Sequence, residues 1–268
     1  MAPRLIFTLM NINIDTNLLL SLIVGVFVGS ASAYIGSIMV LKRLALVGDA
    51  LSHVALPGIG IALTFNLNPF LGAFTALAIA IVIIWQIQTR TGLPTEALVG
   101  LLFTVSLAIG ILITPEPELL EALFGDISKV VALDAVLAMI FSLVIFTVIY
   151  RLRNALVLDL ISSDLAKSQR INTAKLNLIF LALVAIVVAL GVKVVGTLLM
   201  GSLVIIPAVA SKNLTRNLRS YGVVSACFGA MSAVGGIILA NGLQLPPGPM
   251  VVLVSAALFI ISLFFRSR

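Results

Sequence analysis

Two side chains that can bind a metal ion lie one helical turn apart in an apolar part of the chain. Segment 48–58 contains Asp49 and His53, and His53 is the single histidine among 268 residues. Residues four apart lie on one face of a helix, so the carboxylate and the imidazole would face the same side. Together they form half of a divalent transition-metal site. The alternative is a structural pair, hydrogen-bonded to each other or to neighbouring helices.

Pro57 lies four residues after His53 and changes the backbone beside the imidazole. A proline inside a helix has no N–H, so the carbonyl of His53 loses its usual donor. We expect a kink here and a free carbonyl oxygen next to the ring. Because a charged group in hydrocarbon costs at least ~2.5–3.5 kcal/mol, we also expect Asp49 to face a bundle interior, a partner or a water-filled path.

The composition is that of a membrane protein. Hydrophobic residues make up 61% of the chain and charged residues 10%, whereas soluble domains have roughly 45–50% and 25%. The apolar runs do not alternate with polar residues, which argues against β-barrel strands. The predicted fold class is all-α, a single transmembrane helical bundle over residues 1–268 with a short N-terminal extension at 1–17. The one cysteine, Cys227, excludes an internal disulfide and is predicted to be a small core residue.

The apolar runs predict nine membrane spans. Two of these runs are short enough to be half-spans, so eight crossings are an alternative. The predicted spans are 18–41, 44–65 (or from 50), 70–88, 96–114, 130–150, 176–190, 194–210, 223–240 and 250–265. Only residues 191–193 separate the sixth and seventh spans, which suggests a hairpin or an interrupted helix.

Positive charge predicts the orientation. If alternate loops are cytoplasmic, thirteen of the sixteen Lys and Arg residues fall on the inner side. This bias places the C-terminus in the cytoplasm and the N-terminus outside. The net charge of +6 is thereby explained by membrane orientation, and we do not expect nucleic-acid binding.

Small residues recur every four positions along the first span. They are Gly25, Gly29, Ala33 and Ser37. Such a ridge suits close helix packing in lipid. The partner helix is either in a second protomer or in the same chain.

Two polar segments interrupt the apolar runs. Residues 151–175 are predicted to be a cytoplasmic loop, in which a short helix capped by Ser162 or Ser163 could dock a soluble partner. A plain connecting loop is the alternative there. The acids Glu116, Glu118, Glu121 and Asp126 lie close together in the sequence. We interpret them as a solvated outer loop rather than a metal site, although carboxylates suit hard cations.

The order of several motifs resembles the membrane permease of bacterial and archaeal ABC importers for zinc, manganese or iron. The motifs are GDALSH at 48–53 with LPG at 56–58, LFGD at 123–126, VKVVGTLL at 192–199 with IIPA at 205–208, and PGP at 247–249. Each motif alone is weakly specific, but their joint order is specific. The resemblance covers nearly the whole chain.

The resemblance implies a homodimeric permease in the lipid of the prokaryotic cell membrane. Its expected partners are two cytoplasmic nucleotide-binding subunits and a metal-binding protein outside the cell or in the periplasm. It also implies that Asp49 and His53 line the ion path, with Gly48, Ser52, Pro57 and Gly58 beside them.

The resemblance further implies that Asp164, Leu165 and Ala166 contact the ATPase. Two nearby positions depart from the family's usual segment. Arg170 stands where glycine is common, and Ser163 stands where a proline often precedes the acid.

The residues themselves agree with transport driven by a partner. The chain has no Gly-x-x-x-x-Gly-Lys-Ser/Thr loop, so we expect ATP on a separate subunit, no enzymatic activity here and no permanently bound cofactor. One Asp and one His cannot saturate a metal, but a two-fold dimer supplies two of each. That set suits Zn(II), Mn(II) and Fe(II) about equally.

The leading hypothesis is import of a divalent transition metal. The alternatives are an ion-coupled secondary carrier and a permease for metal chelates. An intramembrane metal hydrolase would need three protein ligands and a general base, which a chain with one histidine lacks.

Overall fold

The structure is a computed structural model that describes residues 16–114, 120, 122–125, 130–197 and 199–265. Most of the predicted N-terminal extension lies outside these residues, as do Glu116, Glu118, Glu121 and Asp126. The described part of the chain is helical and contains no strand, which confirms the predicted all-α fold.

Ten helices are defined among the described residues. They are α1 (Thr16–Leu41), α2 (Ala45–Thr64), α3 (Pro69–Thr91), α4 (Thr95–Ile113), α5 (Ala132–Ile161), α6 (Ser163–Ser168), α7 (Thr173–Val195), α8 (Met200–Leu214), α9 (Leu218–Leu243) and α10 (Pro247–Phe264). Eight of them, all except α6 and α8, are long and apolar enough to cross a membrane. Helix α8 is a shorter apolar helix of 15 residues.

The ends of α3 show how local sequence sets a helix boundary. The side chain of Asn68 accepts a hydrogen bond from the Phe70 N–H at 2.9 Å, and Pro69 stands in the first turn. A proline there loses no helical hydrogen bond. At the other end Gly92 has φ +71 and donates its N–H to the carbonyl of Gln88, a left-handed cap that glycine favours. The turns around α3 are therefore encoded locally.

The predicted loop at 151–175 is wrong over residues 151–161, because α5 continues past Tyr150 to Ile161. No Gly or Pro interrupts this stretch. Leu156 is buried, and Asp159 forms an ion pair with Lys42 at the end of α1, with 2.8 Å between Oδ2 and Nζ. The burial of Leu156 and this ion pair hold the polar extension of α5 in helical form.

The predicted break at 191–193 is also wrong, since α7 runs through it to Val195. The two glycines near this point have different roles. Gly191 is in the helix, where a Cβ would collide with the side chain of Met200. Gly196 has φ +82, in the left-handed region that favours glycine. Gly196 therefore ends α7, whereas Gly191 allows close packing.

The small-residue ridge of α1 packs against α9 of the same chain. A Cβ on Gly29 would lie 2.6 Å from the carbonyl oxygen of Gly229, and one on Gly25 would lie 2.6 Å from Ile237 Cδ1. Ala33 and Ser37 are buried on the same helix. Of the two partners considered for this ridge, the structure shows the internal one.

Cys227 is exposed on α9, so its predicted core location is wrong. The physical reason is that lipid tails are as apolar as a protein core. An apolar run therefore does not reveal which of its faces points inward.

Candidate functional site

Helix α2 carries both predicted metal ligands. It is a single helix with Pro57 inside it. His53 is buried, with 7% of its surface exposed, and Asp49 is partly buried. The helix places the two residues on the same face, one turn apart. The sequence prediction of a shared helix is thus confirmed.

The Asp49 carboxylate lies against the first turn of α8. A Cβ added to Gly201 would lie 2.5 Å from the Cβ of Asp49 and 2.8 Å from its Oδ1. Only glycine allows the two helices to approach this closely. The N-terminus of a helix carries partial positive charge, which favours a carboxylate at this place.

The imidazole of His53 lies against an aromatic ring of α4. The centroids of the His53 and Phe103 rings are 5.1 Å apart in an edge-to-face arrangement. Nδ1 of His53 is buried and has no hydrogen-bond partner among the described residues. A structural Asp–His pair bonded through Nδ1 is therefore not what the geometry shows.

Ser52 connects this face of α2 to the break between α7 and α8. Its Oγ lies 2.6 Å from the carbonyl oxygen of Asp49 and 2.5 Å from that of Thr197. One hydroxyl proton is shared between two carbonyl oxygens. The N–H of Thr197 donates to the carbonyl of Ala122 at 2.8 Å. Thr197, between α7 and α8, is thus bonded to α2 through its carbonyl and to Ala122 through its N–H.

The other predicted path residues divide into two groups. Gly48 lies beside Asp49, with Met39 and Val204 as the nearest neighbours of an added Cβ. Pro57 and Gly58 are farther along α2 and form helix contacts. A Cβ on Gly110 would lie 3.4 Å from Pro57 Cδ, and one on Gly58 would collide with the carbonyl of Gly72. These two residues set the spacing of α2 from α4 and α3.

The predicted ATPase-contact residues are on α6. Ser162 caps this helix by accepting the N–H of Leu165 at 3.3 Å. Asp164 and Leu165 are exposed, whereas Ala166 is fully buried. The exposed acid and leucine are available to a partner, and Ala166 anchors the helix against the bundle.

Two residues near the acid–imidazole pair were not assigned to it from sequence. Thr197 falls within the motif at 192–199, and Gly201 follows that motif two residues later. Neither carries a local signal that relates it to α2. Their proximity is a tertiary contact.

Eight helices long and apolar enough to cross a membrane define a multi-pass membrane protein, and one of them carries the buried imidazole and the carboxylate. The sequence model described as the ABC 3 transport family matches residues 15–266. The chain belongs to this family, as the order of its motifs predicted.

Relatives with related transport roles cover most of the chain. It is 30% identical over 254 residues to the high-affinity zinc uptake system membrane protein ZnuB of Haemophilus influenzae, which covers 92% of this chain and 97% of the relative. It is 27% identical over 252 residues to the manganese transport system membrane protein MntC of Listeria monocytogenes, covering 92% and 90%.

A solved structure has the same arrangement of helices. PsaBC from Streptococcus pneumoniae, in complex with a Fab, matches with a TM-score of 0.83 and 26% identity over 94% of this chain and 93% of that one. The chain is thus a multi-pass membrane permease of an ABC transport family.

Proposed function

We propose that this chain is the permease subunit of an ATP-driven importer for divalent manganese or zinc. Asp49 and His53 form its transient metal site where two protomers meet. The observation that carries the proposal is the buried Nδ1 of His53, which has no hydrogen-bond partner among the described residues and lies one turn from Asp49. Relatives named for zinc uptake and manganese transport support the ion class.

The number of ligands argues for a dimer. Among the described residues there is no group of three or more His, Cys, Asp and Glu side chains that could hold a metal. One chain offers two ligands at this site, and a two-fold axis would bring two carboxylates and two imidazoles together. A site in transit must also release its ion, so weak binding suits the role.

The expected partners occupy opposite faces. Helix α6, with Asp164 and Leu165 exposed, is on the side that receives most of the bases and therefore faces the cytoplasm. Two nucleotide-binding subunits would contact it there. A metal-binding protein would deliver ions on the other face. With α8 counted as a ninth, shorter crossing, this orientation places the C-terminus inside and the N-terminus outside.

The choice between manganese and zinc follows ligand chemistry. Carboxylates suit manganese, and imidazole suits zinc, so the paired set accepts both. Iron, the third ion that the sequence resemblance implied, fits the same ligands. Competition between the ions in uptake would decide among them.

Substitution of the two ligands tests the proposal. We expect Asp49→Asn and His53→Ala to lower uptake of labelled manganese or zinc at least about tenfold, measured in vesicles that contain the partner subunits. Glu96→Gln is the matched control, since Glu96 is an exposed acid in the first turn of α4. Dimer assembly should be normal in all three variants.

Undiminished uptake by a well-assembled His53→Ala variant would overturn the proposal. Uptake that survives removal of ATP but is lost when the ion gradient is abolished would identify a secondary carrier instead.

A further inference from the structure

The chain between α7 and α8 is irregular backbone inside an apolar bundle. Helix α7 ends at Val195 and α8 begins at Met200. A Cβ on Gly196 would collide with the carbonyl of Leu123, so the turn is packed tightly. In membrane proteins such backbone is tolerated where it is buried in protein or lines a water-filled path. Broken helices of this kind often carry transport sites.

Both backbone groups of Thr197 have partners, but its hydroxyl does not. The N–H donates to Ala122, and the carbonyl accepts from Ser52. The residue is fully buried, with 0% exposed, and its Oγ1 has no hydrogen-bond partner among the described residues. A buried hydroxyl without a partner is unfavourable and uncommon in native structures.

The break lies directly against the face of α2 that carries Asp49 and Ser52. Two contacts establish this, one between Ser52 and Thr197 and the other between Asp49 and Gly201. Asp49 and Ser52 are three residues apart on α2, which is about one helical turn. The residues that they contact, Gly201 and Thr197, are four residues apart. His53 follows Ser52 directly, and its Nδ1 also has no partner among the described residues.

We propose that the hydroxyl of Thr197 is a further oxygen ligand for the ion at the Asp49–His53 site. This inference rests on the proposed function and deepens it. A divalent ion bound there would give a partner to Oγ1 of Thr197 and to Nδ1 of His53, each of which lacks a hydrogen-bond partner among the described residues. Ser52 is the positioning residue, because its hydroxyl fixes the carbonyl of Thr197.

A neutral hydroxyl oxygen also affects ion selection. Oxygen ligands suit manganese, whereas imidazole is well suited to zinc. Removing the hydroxyl therefore weakens the site for manganese more than for zinc. The ratio of manganese to zinc uptake is a readout that a merely structural role of Thr197 would not change.

The closing experiment compares Thr197→Val, which removes the hydroxyl at similar size, with Thr197→Ser, which keeps it. Each is expressed with its partner subunits, and uptake of labelled manganese and zinc is measured together with thermal stability. We expect Thr197→Val to lower manganese uptake about tenfold, with a smaller loss for zinc. Thr197→Ser should retain at least about half of the wild-type uptake of both ions, since the hydroxyl oxygen remains.

Thermal stability separates ligation from folding. The hydroxyl makes no hydrogen bond among the described residues, so its replacement by a methyl group should leave stability unchanged or raise it. Ser255→Ala on α10 is the matched control, because Ser255 is also a buried hydroxyl without a described partner. The control should change neither uptake nor the ratio.

The outcomes distinguish the two proposals. If Asp49→Asn abolishes uptake while Thr197→Val transports both ions like wild type, the inference is overturned and the proposed function stands. If both variants transport normally, the proposed function itself fails. If Thr197→Val does not fold, Thr197→Ala and Thr197→Ser replace it, and equal uptake and equal ion ratios by these two overturn the inference.

Discussion

At the scale of single residues, Gly201 sets how closely α8 lies to the Asp49 carboxylate. A side chain at this position would occupy the space that Asp49 fills. Arg170 shows the opposite situation, because a bulky residue adopts φ +61 at the end of α6. That region favours glycine, which explains why glycine is common at this position in the family that the sequence resembles.

Gly201→Val is expected to abolish uptake without preventing membrane insertion. The added Cβ and methyl groups push α8 from α2 and displace the carboxylate. Gly100→Val on α4 is the matched control, since a Cβ there meets nothing within 4 Å. Uptake and size-exclusion profiles measure the effect. Wild-type uptake by Gly201→Val would show that the distance between α2 and α8 does not matter.

Arg170→Gly is expected to stabilise the protein and to leave uptake unchanged. A left-handed conformation costs a non-glycine residue roughly 1–2 kcal/mol, and the greater entropy of unfolded glycine offsets about 0.5–1 kcal/mol. Thermal unfolding of the purified complex measures the difference. Arg170→Ala retains the backbone cost and is the control. A lower melting temperature for Arg170→Gly than for Arg170→Ala would contradict the argument.

At the scale of elements, a polar cluster joins three helices near the end of the bundle that carries α6. Gln88 of α3 donates from Nε2 to Thr95 Oγ1 of α4 at 2.9 Å. Asn177 of α7 donates from Nδ2 to Gln88 Oε1 at 2.9 Å. Helix α7 follows α6 in the chain, and α3 and α4 both pack on α2. The cluster therefore connects the segment expected to contact the ATPase with the helices around Asp49 and His53.

Asn177→Leu and Gln88→Leu are expected to be coupled in stability. Asn177→Leu leaves Gln88 Oε1 without its donor, and Gln88→Leu leaves Asn177 Nδ2 only its longer bond of 3.4 Å to Thr95 Oγ1. The double change removes both partners. Such bonds in membrane proteins contribute about 0.6 kcal/mol and up to about 1.7 kcal/mol. A double-mutant cycle in thermal or denaturant unfolding measures the interaction. Purely additive effects would show that the cluster does not hold the helices together.

At the scale of the whole molecule, the proposed function makes each chain the source of half of a metal site. The small-residue ridge of α1 is already covered by α9 of the same chain. The acid–imidazole pair is not covered in this way, because Nδ1 of His53 lacks a hydrogen-bond partner among the described residues. A second copy of the chain supplies the missing ligands in the arrangement proposed above.

Metal stoichiometry checks this arrangement. We expect about one divalent ion per two chains when the purified complex is equilibrated with manganese or zinc and analysed for both elements. Asp49→Asn should abolish this binding, and Glu96→Gln should not affect it. One tightly bound ion for every chain would indicate a site completed within a single protomer.

Sequence patterns alone predicted the helical bundle, the membrane location and the placement of Asp49 and His53 on one helix. These features depend on hydrophobicity and on the helical repeat, both of which are local. The family followed from the order of the motifs.

The boundaries and partners of the helices required the tertiary structure. The polar end of α5 is held by the ion pair between Lys42 and Asp159, which are 117 residues apart. Gly191 and Gly196 are the same residue type but have different roles. Gly191 allows close packing against Met200, whereas Gly196 has a positive φ and ends α7. The contact of Ser52 with Thr197 spans 145 residues. No local pattern encodes such contacts, since they depend on which helices meet.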